Sequence, residues 1–123
     1  MNQYLLSTYV VEGAVPGAPG TPEEMQAFMA RVAALETEMD AAGAFVFGGA
    51  LFGSDAAKVA SVTEDGVIMT DGPFAESKEQ IAGFYIINAD DQEAAQTWAS
   101  KVADATRHPI ELRPFRATGR VQA

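Results

Sequence analysis

Asp71-Gly72-Pro73-Phe74-Ala75-Glu76-Ser77-Lys78-Glu79 places a turn former, a rigid proline, one aromatic and a cluster of charges between two apolar runs. Asp71 can hydrogen-bond its own backbone two residues on, Gly72 tolerates positive φ and Pro73 holds φ near −65°. Two readings of this corner stand. It is a structural turn in which Asp71 caps and Phe74 plugs the edge of the core, or it is a preset loop holding Asp71 and Glu76 for binding or acid–base work.

Working outward, Lys58 to Val62 and Val67 to Thr70 form a hairpin about Glu64-Asp65-Gly66, an Asp-Gly turn that delivers the chain into Asp71. On the other side Ile81 to Asn88 is a strand, with Phe84 and Ile86 on one face and Tyr85 and Ile87 on the other. Asp90-Asp91-Gln92-Glu93 starts a helix whose stripe is Ala94, Ala95, Trp98 and Val102. A last strand, Ile110 to Phe115, sets Ile110 and Leu112 on one face and Glu111, Arg113 and Phe115 on the other. Nearer the start, Tyr4 to Val11 reads as a strand buried on both faces, followed by a Gly- and Pro-rich connector over 13–20. Thr21-Pro22-Glu23-Glu24 is a capped helix start. Met25, Phe28, Met29, Val32, Leu35 and Met39 make that helix's apolar stripe, Glu36 lies off or beside it, and Gly43 is the stop. Ala44 to Phe52 is a strand interrupted by Gly48-Gly49, which predicts a bulge or the close approach of a ligand or a partner chain.

The order is βαββαβ with an added hairpin: an α+β, ferredoxin-like antiparallel sheet with two helices on one face. The other face carries too many aromatics to stay bare, so a two-fold homodimer is expected. The domain is read as 1–116, with 117–123 a tail.

Thr70 to Gln80, the Gly83-Phe84-Tyr85 strand and Ile110-Glu111-Leu112-Arg113-Pro114-Phe115 together resemble the DGPF branch of the YCII-related family, over Tyr4 to Phe115. The resemblance implies a ferredoxin-like domain paired as a dimer, in the manner of a dimeric α/β barrel, with a pocket of unassigned chemistry. Some relatives use a His–Asp pair, and one branch is a dehydrochlorinase. Many DGPF-type genes are associated with extracytoplasmic-function sigma factors.

Composition excludes more than it names. With 17 acidic against 8 basic residues and a net charge of −9, there is no basic footprint for nucleic acid or an anionic membrane. The absence of cysteine removes disulfides, thiolate zinc sites and Cys nucleophiles. One histidine and scattered carboxylates make no metal site, and no cofactor motif appears. Without a signal peptide or an 18-residue apolar run, the cytoplasm is the default location.

The residues expected to carry function are Asp71, Phe74, Glu76, Glu111 and Arg113, lining one pocket on the dimer-facing side of the sheet with Tyr9 and Tyr85 as walls. Arg113 would pair with Asp71 or Glu76, or hold an anionic ligand group; the alternative is an internal salt bridge. Asp71, Glu76 and His108 are the catalytic candidates. His108 is the residue type suited to acid–base work, although it also fits a helix C-terminus. The function expected is a dimeric binder of a small anionic or polar-aromatic molecule, with or without lyase or hydrolase activity. The alternative is an accessory regulator of a sigma factor; retention of a sigma factor in a pull-down separates the two.

Overall fold

A computed structural model describes residues 2–11, 20–73 and 79–117. The elements run β1 (Asn2–Val11), α1 (Pro22–Ala41), β2 (Phe45–Ala50), a single 3₁₀ turn at Ser54–Ala56, β3 (Lys58–Thr63), β4 (Gly66–Asp71), β5 (Glu79–Ala89), α2 (Gln92–Thr106) and β6 (Glu111–Pro114). Strands β2-β5-β1-β6 form one four-stranded sheet, every neighbouring pair antiparallel, and β3-β4 form a separate two-stranded ribbon. Leaving the ribbon aside, this is the expected ferredoxin-like α+β arrangement: βαββαβ with the first and third strands at the centre.

Local chemistry sets both helices. The Thr21 hydroxyl accepts from the Glu24 N–H at 3.1 Å and Pro22 takes the first position. Glu24 folds back to accept from Gly20 N–H at 2.8 Å, one residue upstream of the usual capping-box partner. Gly43, with φ of 70°, closes α1. Asp91 caps α2 through the Ala94 N–H at 2.8 Å. The far end of α2 turns on Arg107, a non-glycine residue at φ 60°, whose Nη1 holds Asp104 Oδ1 at 2.7 Å. A left-handed residue other than glycine costs roughly 1–2 kcal/mol, so the turn that sends the chain towards His108 is bought by the surrounding contacts.

Both helices cover the same face of the sheet. Tyr4, Leu6, Ile87 and Ala89 meet Leu35 and Met39 of α1 and Ala95, Val102 and Ala105 of α2, with Phe45, Trp98, Ile110 and Leu112 packed around them. Burying one large aliphatic side chain of this kind stabilises by about 1.5–3 kcal/mol. The α1 stripe is buried only in its second half: Met25 and Met29 are exposed, while Leu35 and Met39 are enclosed.

Two register shifts shape the sheet. Phe45 lies opposite Ile87 but Phe47 lies opposite Ile86, leaving Val46 as an extra residue in β2. One inserted residue reverses which side every later residue faces. Phe45 therefore meets Tyr85 on the helix side, ring centroids 6.1 Å apart, and Phe47 meets Phe84 on the bare side at 6.0 Å. Between β1 and β5, Thr8 opposes Gly83 and Tyr9 opposes Ile81, so Ala82 is the extra residue there. The Ala82 carbonyl accepts from Leu51 N–H at 2.8 Å.

Candidate functional site

The glycine pair in β2 has a local cause. A Cβ on Gly48 would fall on the Tyr85 ring and 2.8 Å from the Phe84 carbonyl, whereas one on Gly49 would meet nothing within 4 Å. The close approach expected at this pair is thus made by the neighbouring strand's own tyrosine. With that room, Tyr85 reaches from the sheet to α1 and donates its hydroxyl hydrogen to Glu36 Oε2 at 2.6 Å. That length falls in the range of charge-assisted O–H···O⁻ bonds. Burial first, then the hydrogen bond to Glu36 and its negative charge, push the Tyr85 phenol well above the ordinary tyrosine value of 10.0. Tyr85 stays protonated throughout the physiological range.

Beside this pair lies a cavity of about 420 Å³ between the helices and the sheet. Its apolar walls include Leu6, Phe28, Val32, Ala50, Ala82, Val102 and Ile110, and its polar groups are Thr8, Glu36, Tyr85, Thr106 and His108. Helix residues Phe28, Val32 and Glu36 follow one another at intervals of four, which puts them on one face of α1. The Ala82 bulge and the glycines at 49 and 83 leave this end of the sheet without side-chain bulk to fill the gap.

His108 arrives through the Arg107 turn. Its backbone N–H donates to the Thr106 hydroxyl at 3.3 Å and its ring packs against Phe28, centroids 6.4 Å apart. Among the described residues, His108 Nε2, Thr8 Oγ1 and Ser7 Oγ are buried with no hydrogen-bond partner; the first two belong to cavity-lining residues, and Ser7 lies opposite Phe84 and Glu111 on the other face. Buried polar atoms normally have one, and lacking it costs about 1–3 kcal/mol each. A guest in the cavity, water or solute, is the physical remedy. Arg31 is committed elsewhere: its Nε donates to the Ala105 carbonyl at 2.9 Å and its guanidinium stacks over Phe28, 5.9 Å from the ring centroid.

The residues expected to share one pocket are divided. Tyr85 pairs across the sheet with Leu6, and Leu6 with Leu112, on the helix-covered face; Arg113 pairs with Leu5 on the opposite face. Tyr85 and Arg113 therefore cannot wall the same space, because adjacent residues of a strand point to opposite sides. Arg113 does not pair with Asp71. Its Nε lies 3.1 Å from Glu111 Oε1 on its own strand, and Asp71 is bound to Lys58 across the β3–β4 ribbon. Tyr9 is exposed opposite Ile81. Phe74 and Glu76 lie outside the described residues.

The Asp71 corner itself is tight. Gly72 N–H donates to the Ala57 carbonyl at 2.9 Å, and a Cβ on Gly72 would stand 2.9 Å from Val59 Cγ2. A second hollow, of about 330 Å³, is lined by Pro73, Leu51, Phe52, Ala57 and Ile81 among others, with neither Asp71 nor Arg113 among the described lining residues. Of the sequence candidates, Tyr85 and His108 line the larger cavity. Glu36 and Thr8 were not among them. Glu36 was legible as the residue one turn past Val32 and two past Phe28, a carboxylate continuing an apolar row.

Residues 2–115 match the YCII-related domain family, and the chain belongs to it. No curated protein matches the chain. Among the described residues, no helix is long and apolar enough to cross a membrane.

Proposed function

We propose that this YCII-related domain protein binds a small organic molecule in the cavity between its helices and its sheet, and that it works as a homodimer. The observation that carries the binding reading is the cavity's make-up. Roughly 300–1,000 Å³, apolar walls and a few convergent polar groups are the usual marks of a small-molecule site, and here two of those polar groups, Thr8 Oγ1 and His108 Nε2, lack partners among the described residues. Glu36, Tyr85 and His108 are the titratable groups at this wall, and any catalysis would draw on them.

Pairing is supported by the other face of the sheet. Phe47, Phe84, Leu5 and Ile86 share it, and Phe47 is 60% exposed. The β3–β4 ribbon adds Val62, Val67, Ile68 and Met69, all exposed. A second copy related by two-fold symmetry would cover such a surface.

Ala50 tests the binding reading because it is exposed yet lines the cavity. Ala50→Trp should fold and place an indole over the opening. A panel of small organic molecules that raises the melting temperature of the wild type but not of Ala50→Trp supports the assignment. Equal responses in both proteins would put the ligand elsewhere.

A further inference from the structure

Resting on the cavity reading above, we infer that the site takes a small organic cation, a protonated amine on an apolar body, with the ammonium seated against Glu36 and Tyr85. Hydrogen-bond bookkeeping leads to this. Tyr85 has one hydroxyl hydrogen and gives it to Glu36 Oε2 at 2.6 Å, so what it offers a guest is oxygen lone pairs. Glu36, as a carboxylate, offers only lone pairs too. This corner of the cavity therefore accepts and does not donate.

Charge points the same way. Glu36 is half-buried, and among the described residues no Lys or Arg forms an ion pair with it. No Lys or Arg lines the cavity among those residues either. Arg31 is engaged with the Ala105 carbonyl and the Phe28 ring, Lys101 with Glu38, and Arg107, next to His108, with Asp104. A half-buried carboxylate gains most from a cation that arrives with hydrogens to donate. The remaining wall, Phe28, Val32 and Ile110, suits a hydrocarbon or aromatic body. The chain's net charge of −9 draws cations and repels anions at longer range. An anionic or polar-aromatic ligand was expected, the anion on the strength of Arg113, which stands on the opposite face of the sheet.

Three probes of nearly equal shape and different charge decide the matter: benzylamine, benzyl alcohol and benzoate. Each is titrated into the full chain near neutral pH, following backbone amide shifts around Glu36, Tyr85 and Phe84. The expected order is benzylamine first, benzyl alcohol weaker, and benzoate at least tenfold weaker than the amine. Glu36→Gln, which keeps an acceptor for Tyr85, should bring the amine down to the level of the alcohol, with its fold checked by melting temperature. The probe series on the wild type stands even if that variant does not fold. Benzyl alcohol or benzoate binding in the cavity as tightly as the amine would overturn the cation inference and leave the cavity reading intact. Absence of shifts from all three would sink both.

Discussion

The two faces of the four-stranded sheet are built from alternate residues of the same strands, yet they solve opposite problems. The helix-covered face buries Tyr4, Leu6 and Ile87 and leaves an unfilled space where the Ala82 bulge and the glycines thin the sheet. Its polar groups, Glu36, Tyr85 and His108, come from three separate elements or their ends. The bare face carries Phe47, Phe84 and Leu5, and its charged residues Glu111 and Arg113 neutralise one another within one strand. Of the three buried, unpaired polar atoms among the described residues, Thr8 Oγ1 and His108 Nε2 belong to residues lining the cavity, and Ser7 Oγ lies on the bare face away from it. The covered face, with Glu36, Tyr85 and His108 around one cavity, is where titratable groups and open space coincide.

The contrast breaks most directly through the core. Leu6→Ala and Ile87→Ala remove side chains that are 1% and 0% exposed, and each should cost about 2–5 kcal/mol in denaturant unfolding. Phe47→Asp, on the bare face, should instead leave the fold standing and convert a dimer to a monomer in sedimentation velocity. A wild type that sediments as a monomer would remove the pairing proposal. A smaller effect is expected at the phenol. Tyr85→Phe gives up one hydrogen bond to a half-buried carboxylate, worth about 1.5–3 kcal/mol.

The same group makes a pH prediction. Its value is raised in the fold, so the stability it contributes is fully present below the ordinary tyrosine value of 10.0 and is lost as pH rises through the higher folded value. In a spectrophotometric titration Tyr85 should ionise at a higher pH than its unfolded value, and Tyr85→Phe should flatten the stability loss above about pH 10. Smallest of all, Asp71→Asn and Arg113→Ala should each change stability by no more than about 1 kcal/mol, since both sit in exposed ion pairs. Neither should alter binding in the cavity. A loss of binding on Arg113→Ala would restore the bare face as the site.

Much of the fold was legible because it depends on local chemistry. Thr21 and Asp91 announced helix starts, Gly43 a helix end and Asp65-Gly66 a hairpin, each through bonds made within a few residues. The split of Phe84 from Tyr85 and of Leu112 from Arg113 followed from strand alternation alone. Phe45 and Phe47 did not obey simple alternation, because the register shift at Val46 appears only when β2 is laid against β5. The Asp71 corner drew notice because turn residues and charges cluster there in sequence, but among the described residues Asp71 pairs with its hairpin neighbour Lys58.

Sequence by itself determined the elements, their order, the family and which residues of a regular strand share a side, since these rest on spacing along one chain. Tertiary structure alone decided where a guest can sit. Tyr85 and Glu36 are 49 residues apart, and their contact needs the room that Gly48 leaves on a third segment. His108 joins them only because a left-handed turn at Arg107 brings it back against α1. Such a meeting depends on how separate elements pack, and no spacing along the chain encodes it.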